Sequence, residues 1–106
     1  MGVKVFRSEL QADSESAYCH WLSGNPDGYV VNTLKSASGN ASKSDERFTR
    51  IHRATCKTIN PLLSLTEKTG FTTGRYQKLC AVSFELADSE AKLVTGLTIV
   101  KICPCI

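Results

Sequence analysis

The sequence has no long hydrophobic run. Its apolar stretches are only a few residues long, far short of the roughly 20 that cross a bilayer, so no membrane span is expected. The opening MGVKVFRSEL lacks the apolar stretch and small-residue cleavage site of a secretory signal, and Gly2 is not followed by the Ser or Thr of a myristoylation signal. The closing CPCI places Pro104 and Cys105 where prenylation wants aliphatic residues. A cytoplasmic chain is the expectation. Phosphate-cradling glycine loops, a nucleophile elbow and the H-E-x-x-H zinc-protease motif are all missing. Acidic residues are scarce in the middle of the chain, where only Asp45, Glu46 and Glu67 stand among the cations. With neither a catalytic motif nor paired carboxylates, a non-enzymatic role is expected.

What remains is an ordinary globular composition, 42% hydrophobic and 22% charged, which in a chain of 106 residues builds one core and one domain. The five cysteines are an odd number, and without a secretory signal they read as free thiols rather than as a disulfide framework. The net charge of +3 is unevenly spread. Residues 35 to 78 hold nine Lys and Arg against three acids, whereas both flanking segments are slightly acidic. A clustered cationic surface raises the local concentration of polyanions. Its alternative is a solvated basic face that only keeps the protein soluble.

The local signals alternate between helix and strand. Ser14 to Ser23 predicts a helix with Asp13 or Ser14 as cap and Gly24 after its end. Asn25-Pro26-Asp27-Gly28 predicts a type I turn, and Tyr29 to Leu34 a strand. The Ser-, Gly- and Asn-rich run that begins at Ser36 predicts a flexible loop over about 36–46. Arg47 to Ala54 reads as an irregular edge strand, and Pro61 marks a turn ahead of a short apolar segment ending near Leu65. Arg75 to Val82 reads as a strand, Ser83 to Thr95 as a capped helix stopped by Gly96, and Leu97 to Ile102 as a last strand. The expected fold is α+β: a small single domain spanning residues 1–106, with an antiparallel sheet of three or four strands and two helices packed on it.

Three constellations could carry chemistry, and they converge on FTRIHRATCKTI, residues 48–59. His52 and Cys56 form an H-x-x-x-C pair, and Cys103 and Cys105 close the chain as C-x-C. Together they offer four donors that suit Zn²⁺, although Pro104 restricts the bend that the closing pair needs. The alternative is an edge-strand histidine beside separately buried thiols. A Cys56 or Cys80 nucleophile served by His52 or His20 requires a base within hydrogen-bond reach and a group to orient it. The basic reading places Arg50, Arg53 and Lys57 on one strand and Arg75 and Lys78 on another. Pairing of those strands would form a phosphate-binding surface, with Tyr76 to stack on a base, His52 as a polar contact and Thr72 and Thr73 as hydroxyl donors. A protein-interaction patch around Trp21 and Phe71 is a further option.

The succession WLSGNPDGYVVN (residues 21–32), IHRATCKTI (51–59) and YQKLCAVS (76–83) resembles a small uncharacterised domain of bacterial proteins, some of them restriction or defence proteins. The resemblance implies a single domain and a DNA-linked role. The H-R-x-x-C opening is also similar to that of small zinc modules that finish with C-x-x-C. Here the closing pair is one residue shorter, and Cys80 is a possible substitute for one terminal cysteine. The leading expectation is therefore a non-enzymatic accessory domain that binds nucleic acid or another polyanion, without a cofactor. The runner-up is a structural zinc module or a protein-interaction adaptor.

Overall fold

The computed structural model describes residues 3–10, 12–62, 71–72 and 74–106. Its centre is the YVVNTL segment, whose β-branched and aromatic residues favour an extended, half-buried backbone. This strand, β2 (Tyr29–Leu34), is paired on both sides. On one side it runs antiparallel to β4 (Tyr76–Ala81) along its whole length, from Tyr29 opposite Ala81 to Leu34 opposite Tyr76. On the other it pairs antiparallel with β3 (Arg50–Arg53), which puts Val30 opposite His52 and Asn32 opposite Arg50. β1 (Lys4–Phe6) adds an antiparallel edge to β4, and β5 (Lys101–Ile102) adds a parallel edge to β3. The order is β1-β4-β2-β3-β5.

The sheet thus has five strands and is mixed, where an antiparallel sheet of three or four was expected. Two local features account for the difference. β1 is only three residues long, too short for its alternation to stand out, and β5 keeps two residues of the predicted Leu97–Ile102 strand. A third helix also appears. Lys43–Phe48 forms α2, a single capped turn and a half within what reads as loop and strand. Ser42 accepts from the Asp45 amide at 3.2 Å, and Asp45 and Glu46 sit in the first turn, where the helix dipole favours negative charge. Six residues are too few for a helical period to show.

Because successive side chains of a strand point to opposite faces, one sheet builds two cores. Val30 and Cys80 face the first helix, α1 (Ser14–Gly24), and pack with Tyr18, Trp21, Leu22, Phe6, Ala54 and Ile59. Val31, Leu79 and Ile51 face the other way and pack with Ala87, Ala91 and Val100 beneath α3 (Phe84–Thr95). Each of the fully buried Val30, Val31, Ile51 and Leu79 contributes about 1.5–3 kcal/mol through burial. Tyr18 is also fully buried, and its hydroxyl donates to the Ile59 carbonyl, which fastens the segment after β3 to α1.

The helix limits follow the expected chemistry. Asp13 caps α1 by accepting from the Ser16 amide at 3.1 Å, and the helix includes Gly24 before ending at Asn25. The Asn25 to Gly28 turn closes with Gly28 N–H donating to the Asn25 carbonyl at 3.0 Å. Gly28 has no room for a side chain, since a Cβ would stand 2.7 Å from the Trp21 ring. Ser83 caps α3, and Gly96 ends it in the left-handed region at φ 79°, donating to the Lys92 carbonyl at 2.8 Å. Gly96 lies against Gly39, itself at φ 82° and bonded to the Val94 carbonyl at 2.7 Å.

A Cβ on Gly96 would fall 2.1 Å from the Gly39 carbonyl oxygen. Gly96→Ala combines this backbone clash with a disfavoured φ, so urea denaturation is expected to show a loss of about 2–3 kcal/mol. An equal change for Ser23→Ala, at the exposed end of α1, would show that the contact is not responsible.

Candidate metal centre

Parallel pairing sets the site. Ile51 stands beside Ile102, and the next amide, Cys103 N–H, donates to the Ile51 carbonyl at 2.8 Å. Cys103 therefore arrives next to His52. The chain then turns, with Ile106 N–H donating to the Cys103 carbonyl at 3.1 Å, and Pro104 occupies the second position of that turn. Proline's fixed φ suits this position, so Pro104 promotes the bend that it was expected to hinder. Cys105 is brought back against β3, where its sulfur accepts from the Arg53 amide at 3.4 Å and its carbonyl accepts from the Arg53 guanidinium at 3.0 Å.

The fourth donor comes from the other end of β3. Cys56 N–H donates to the Arg53 carbonyl at 3.0 Å, which closes a turn and folds Cys56 over His52. Amides of Ile59 and Asn60 both donate to the Cys56 carbonyl, and the Asn60 side chain donates to the Ala54 carbonyl at 2.6 Å. The loop is thereby fixed by its own backbone.

The donor atoms of His52, Cys56, Cys103 and Cys105 all lie within 4.8 Å of one another. The sulfurs of Cys56 and Cys103 are 3.9 Å apart. Tetrahedral Zn²⁺ with Zn–S bonds of about 2.3 Å separates two sulfurs by about 3.8 Å, so this spacing is that of a zinc tetrahedron. Three thiols and an imidazole are also the donor set that zinc prefers among common biological metals.

The electrostatics agree. Burial, with the charges of Arg50 and Lys78 adding to it, holds the His52 imidazole down to about 4, so the ring is neutral and its lone pair is available at neutral pH. Its Nδ1 is buried without a hydrogen-bond partner among the described residues, an unusual state for a buried ring nitrogen that a ligand would relieve. Burial raises the Cys56 thiol, but hydrogen bonds from Thr58 and from the other two cysteines outweigh it and leave the thiol below its ordinary value. Cys105 moves the other way, to about 11, through burial and the neighbouring thiols, with the Arg53 amide opposing. The neighbouring thiols thus move in opposite directions, and a divalent cation would favour the charged form of both.

Cys80 is not a substitute ligand. It lies fully buried in the core beneath α1, where burial pushes its thiol well above the ordinary range. Cys19 is raised by burial and by Glu15 and Asp13, so neither thiol is activated as a nucleophile.

The basic residues are distributed differently from the expected strand pair. β2 runs between β3 and β4, so Arg50 and Arg53 are not on a strand adjacent to that of Lys78. Lys78 is 3% exposed, and its ammonium donates to Asn32 Oδ1 at 2.6 Å and to the Phe71 carbonyl at 2.7 Å. Burial pushes it down to about 8, against the pull of Glu15. Arg53 faces Cys105, and Lys57 stands exposed on the turn beyond β3. Arg50 and Arg75 are exposed, and Tyr76, the first residue of β4, is half-buried beside Arg75 and two strands away from Arg50. Thr72 shares a hydrogen bond of 2.6 Å with Ser14 in the core, and Thr73 lies outside the described residues, as does the apolar segment ending at Leu65. Trp21 is buried at 8% exposure, and Phe71 packs against Tyr18, so neither presents an apolar patch. Among the described residues no helix is long and apolar enough to cross a membrane.

Two contributors to these surfaces escaped sequence reading. Arg47 and Phe48 belong to α2, and their places follow from a helix that only its cap, Ser42 with Asp45, announces.

No family model, curated protein or solved structure matches the chain.

Lys78 acts as a structural cation here. Lys78→Met keeps the stem but leaves Asn32 Oδ1 and the Phe71 carbonyl unpaired, so a loss of about 1–3 kcal/mol is expected in chemical denaturation. Unchanged stability would mean that these two hydrogen bonds contribute nothing.

Proposed function

We propose that the protein is a non-enzymatic binding domain fastened by a structural Zn²⁺ ion, held by His52 and by the thiolates of Cys56, Cys103 and Cys105. The convergence of these four donors carries the reading, because they come from one strand end, one turn and a tail more than forty residues later. Separately buried cysteines have no reason to meet around the one buried histidine. Four protein ligands leave no open coordination position for substrate, which is the arrangement of structural rather than catalytic zinc. The Arg53 amide directed at the Cys105 sulfur supports it further, since an N–H donor stabilises thiolate charge.

Zinc here would join the end of the chain to the core strand β3. Protein purified without chelator is expected to carry one zinc per chain by elemental analysis, and cobalt substitution should give the visible absorption of a tetrahedral thiolate site. Cys103→Ser should abolish stoichiometric metal binding, and chelation should lower the thermal midpoint of the wild type but not that of the variant. Metal-free protein with an unchanged midpoint in chelator, and no cobalt spectrum, would falsify the reading.

A further inference from the structure

The face of the sheet beneath α1 is covered only in part. At the end where β2 finishes, Asn32, Arg50 and Tyr76 share that face and look into a depression of about 220 Å³ that Arg47, Phe48 and Thr58 also line. A second depression of about 450 Å³ adjoins it, with Phe48 as the common wall and Arg75, Lys35, Ser36 and Ser44 among its lining. Phe48 lines both, which puts the two shallow depressions side by side in one track at the end of α2.

Cations and rings alternate along this track. Phe48 and Tyr76 meet edge to face with centroids 6.2 Å apart. The Arg47 guanidinium lies 5.3 Å from the Phe48 centroid, and that of Arg75 lies 5.8 Å from Phe48 and 5.9 Å from Tyr76. Among the described residues, none of Arg47, Arg50 and Arg75 has a carboxylate within ion-pair distance, whereas Lys35 pairs with Glu9 at 2.9 Å and Lys92 with Asp88 at 2.8 Å. Acids are at hand on α2, but Asp45 is buried as a partner of Ser42, and Glu46 pairs with none of the three. Three guanidiniums without an acidic partner thus line the depressions that hold the two rings, and the positive potential there favours an anionic ligand.

We propose that the two depressions form one groove for single-stranded nucleic acid, in which Arg47, Arg50 and Arg75 take phosphates and Phe48 and Tyr76 receive bases. The guanidinium fork matches phosphate oxygens, and a ring stacks on any base, so binding is tolerant of sequence. A duplex is convex and keeps its bases stacked inside, out of reach of half-buried rings on a concave floor. An acidic peptide would satisfy the arginines but offers nothing to stack on the rings. This groove does not depend on the zinc reading, since only His52 at its end belongs to both.

Fluorescence anisotropy with labelled oligodeoxythymidine, a duplex of equal length and polyglutamate as competitor tests the groove. Three phosphate contacts on a single strand predict a logarithmic salt slope near −2, so binding should weaken roughly 20-fold between about 50 mM and about 200 mM salt. Arg50→Ala with Arg75→Ala should remove most of the affinity and flatten that slope. Phe48→Leu should weaken binding by roughly tenfold with the slope unchanged, which separates stacking from charge. Thermal midpoints and far-UV circular dichroism report whether each variant is folded, and the paired arginine variant alters only exposed side chains should Phe48→Leu prove unstable. The groove is ruled out if the single strand does not bind at low salt, if the folded arginine variant binds as the wild type does, or if duplex or polyglutamate binds as well.

Discussion

One parallel pairing between two very short strands determines what the far end of the chain can do. β5 has two residues beside β3, and the continuing hydrogen bond from Cys103 to the Ile51 carbonyl aligns the tail with His52 and then with the Arg53 amide. Reached from the other side of the sheet, or shifted by one residue, the tail would send Cys103 and Cys105 to the opposite face. The same register that buries Val100 under α3 therefore delivers two thiols to the other face of β3. Core packing and the metal donors are consequences of one alignment.

That alignment is weak on its own terms. Ordering a residue's backbone costs about 1–2 kcal/mol, while a hydrogen bond contributes about 0.5–1.5 kcal/mol net, so a two-residue edge strand does not hold itself. The tail makes further contacts through Arg53 and through Cys103 and Cys105 packed on the core that contains Cys56. A Zn²⁺ bond set to the same residues would supply what the strand lacks, and it would do so at the point where β3 ends and the chain turns. Such a cross-link would stand where the secondary structure is poorest.

Long elements were legible in the sequence. α1, β2, β4 and α3 announce themselves through caps, β-branched runs and stop glycines, and their limits lie within one or two residues of expectation. β1 and α2 were not legible, and β5 was expected only as a longer strand, because three strand residues or six helical ones hold less than two periods of their own pattern and a two-residue edge is decided by its partner. The four donors could be named from residue type and spacing, but their meeting could not, since it depends on a parallel edge that no local signal encodes. The basic strand pair failed for the same reason: strand order is a tertiary property, and β2 took the place between β3 and β4.

Lys78 shows why counting cations along a sequence misplaces them. Its strand alternates correctly and puts it on the face beneath α1, level with Arg50 across Asn32. Phe6 on β1 and the Phe71 backbone then cover it, so its charge is spent inside the fold on Asn32 and the Phe71 carbonyl. Arg50, one strand beyond β2, lies past that cover and keeps its guanidinium in solvent. Arg75, just before β4 begins, escapes it at the other side, where the Phe48 and Tyr76 rings hold it. What separates a structural cation from an available one is therefore its distance from the covered part of the sheet face. By that measure Arg47, Arg50 and Arg75 are available, and they gather around α2 rather than along one strand.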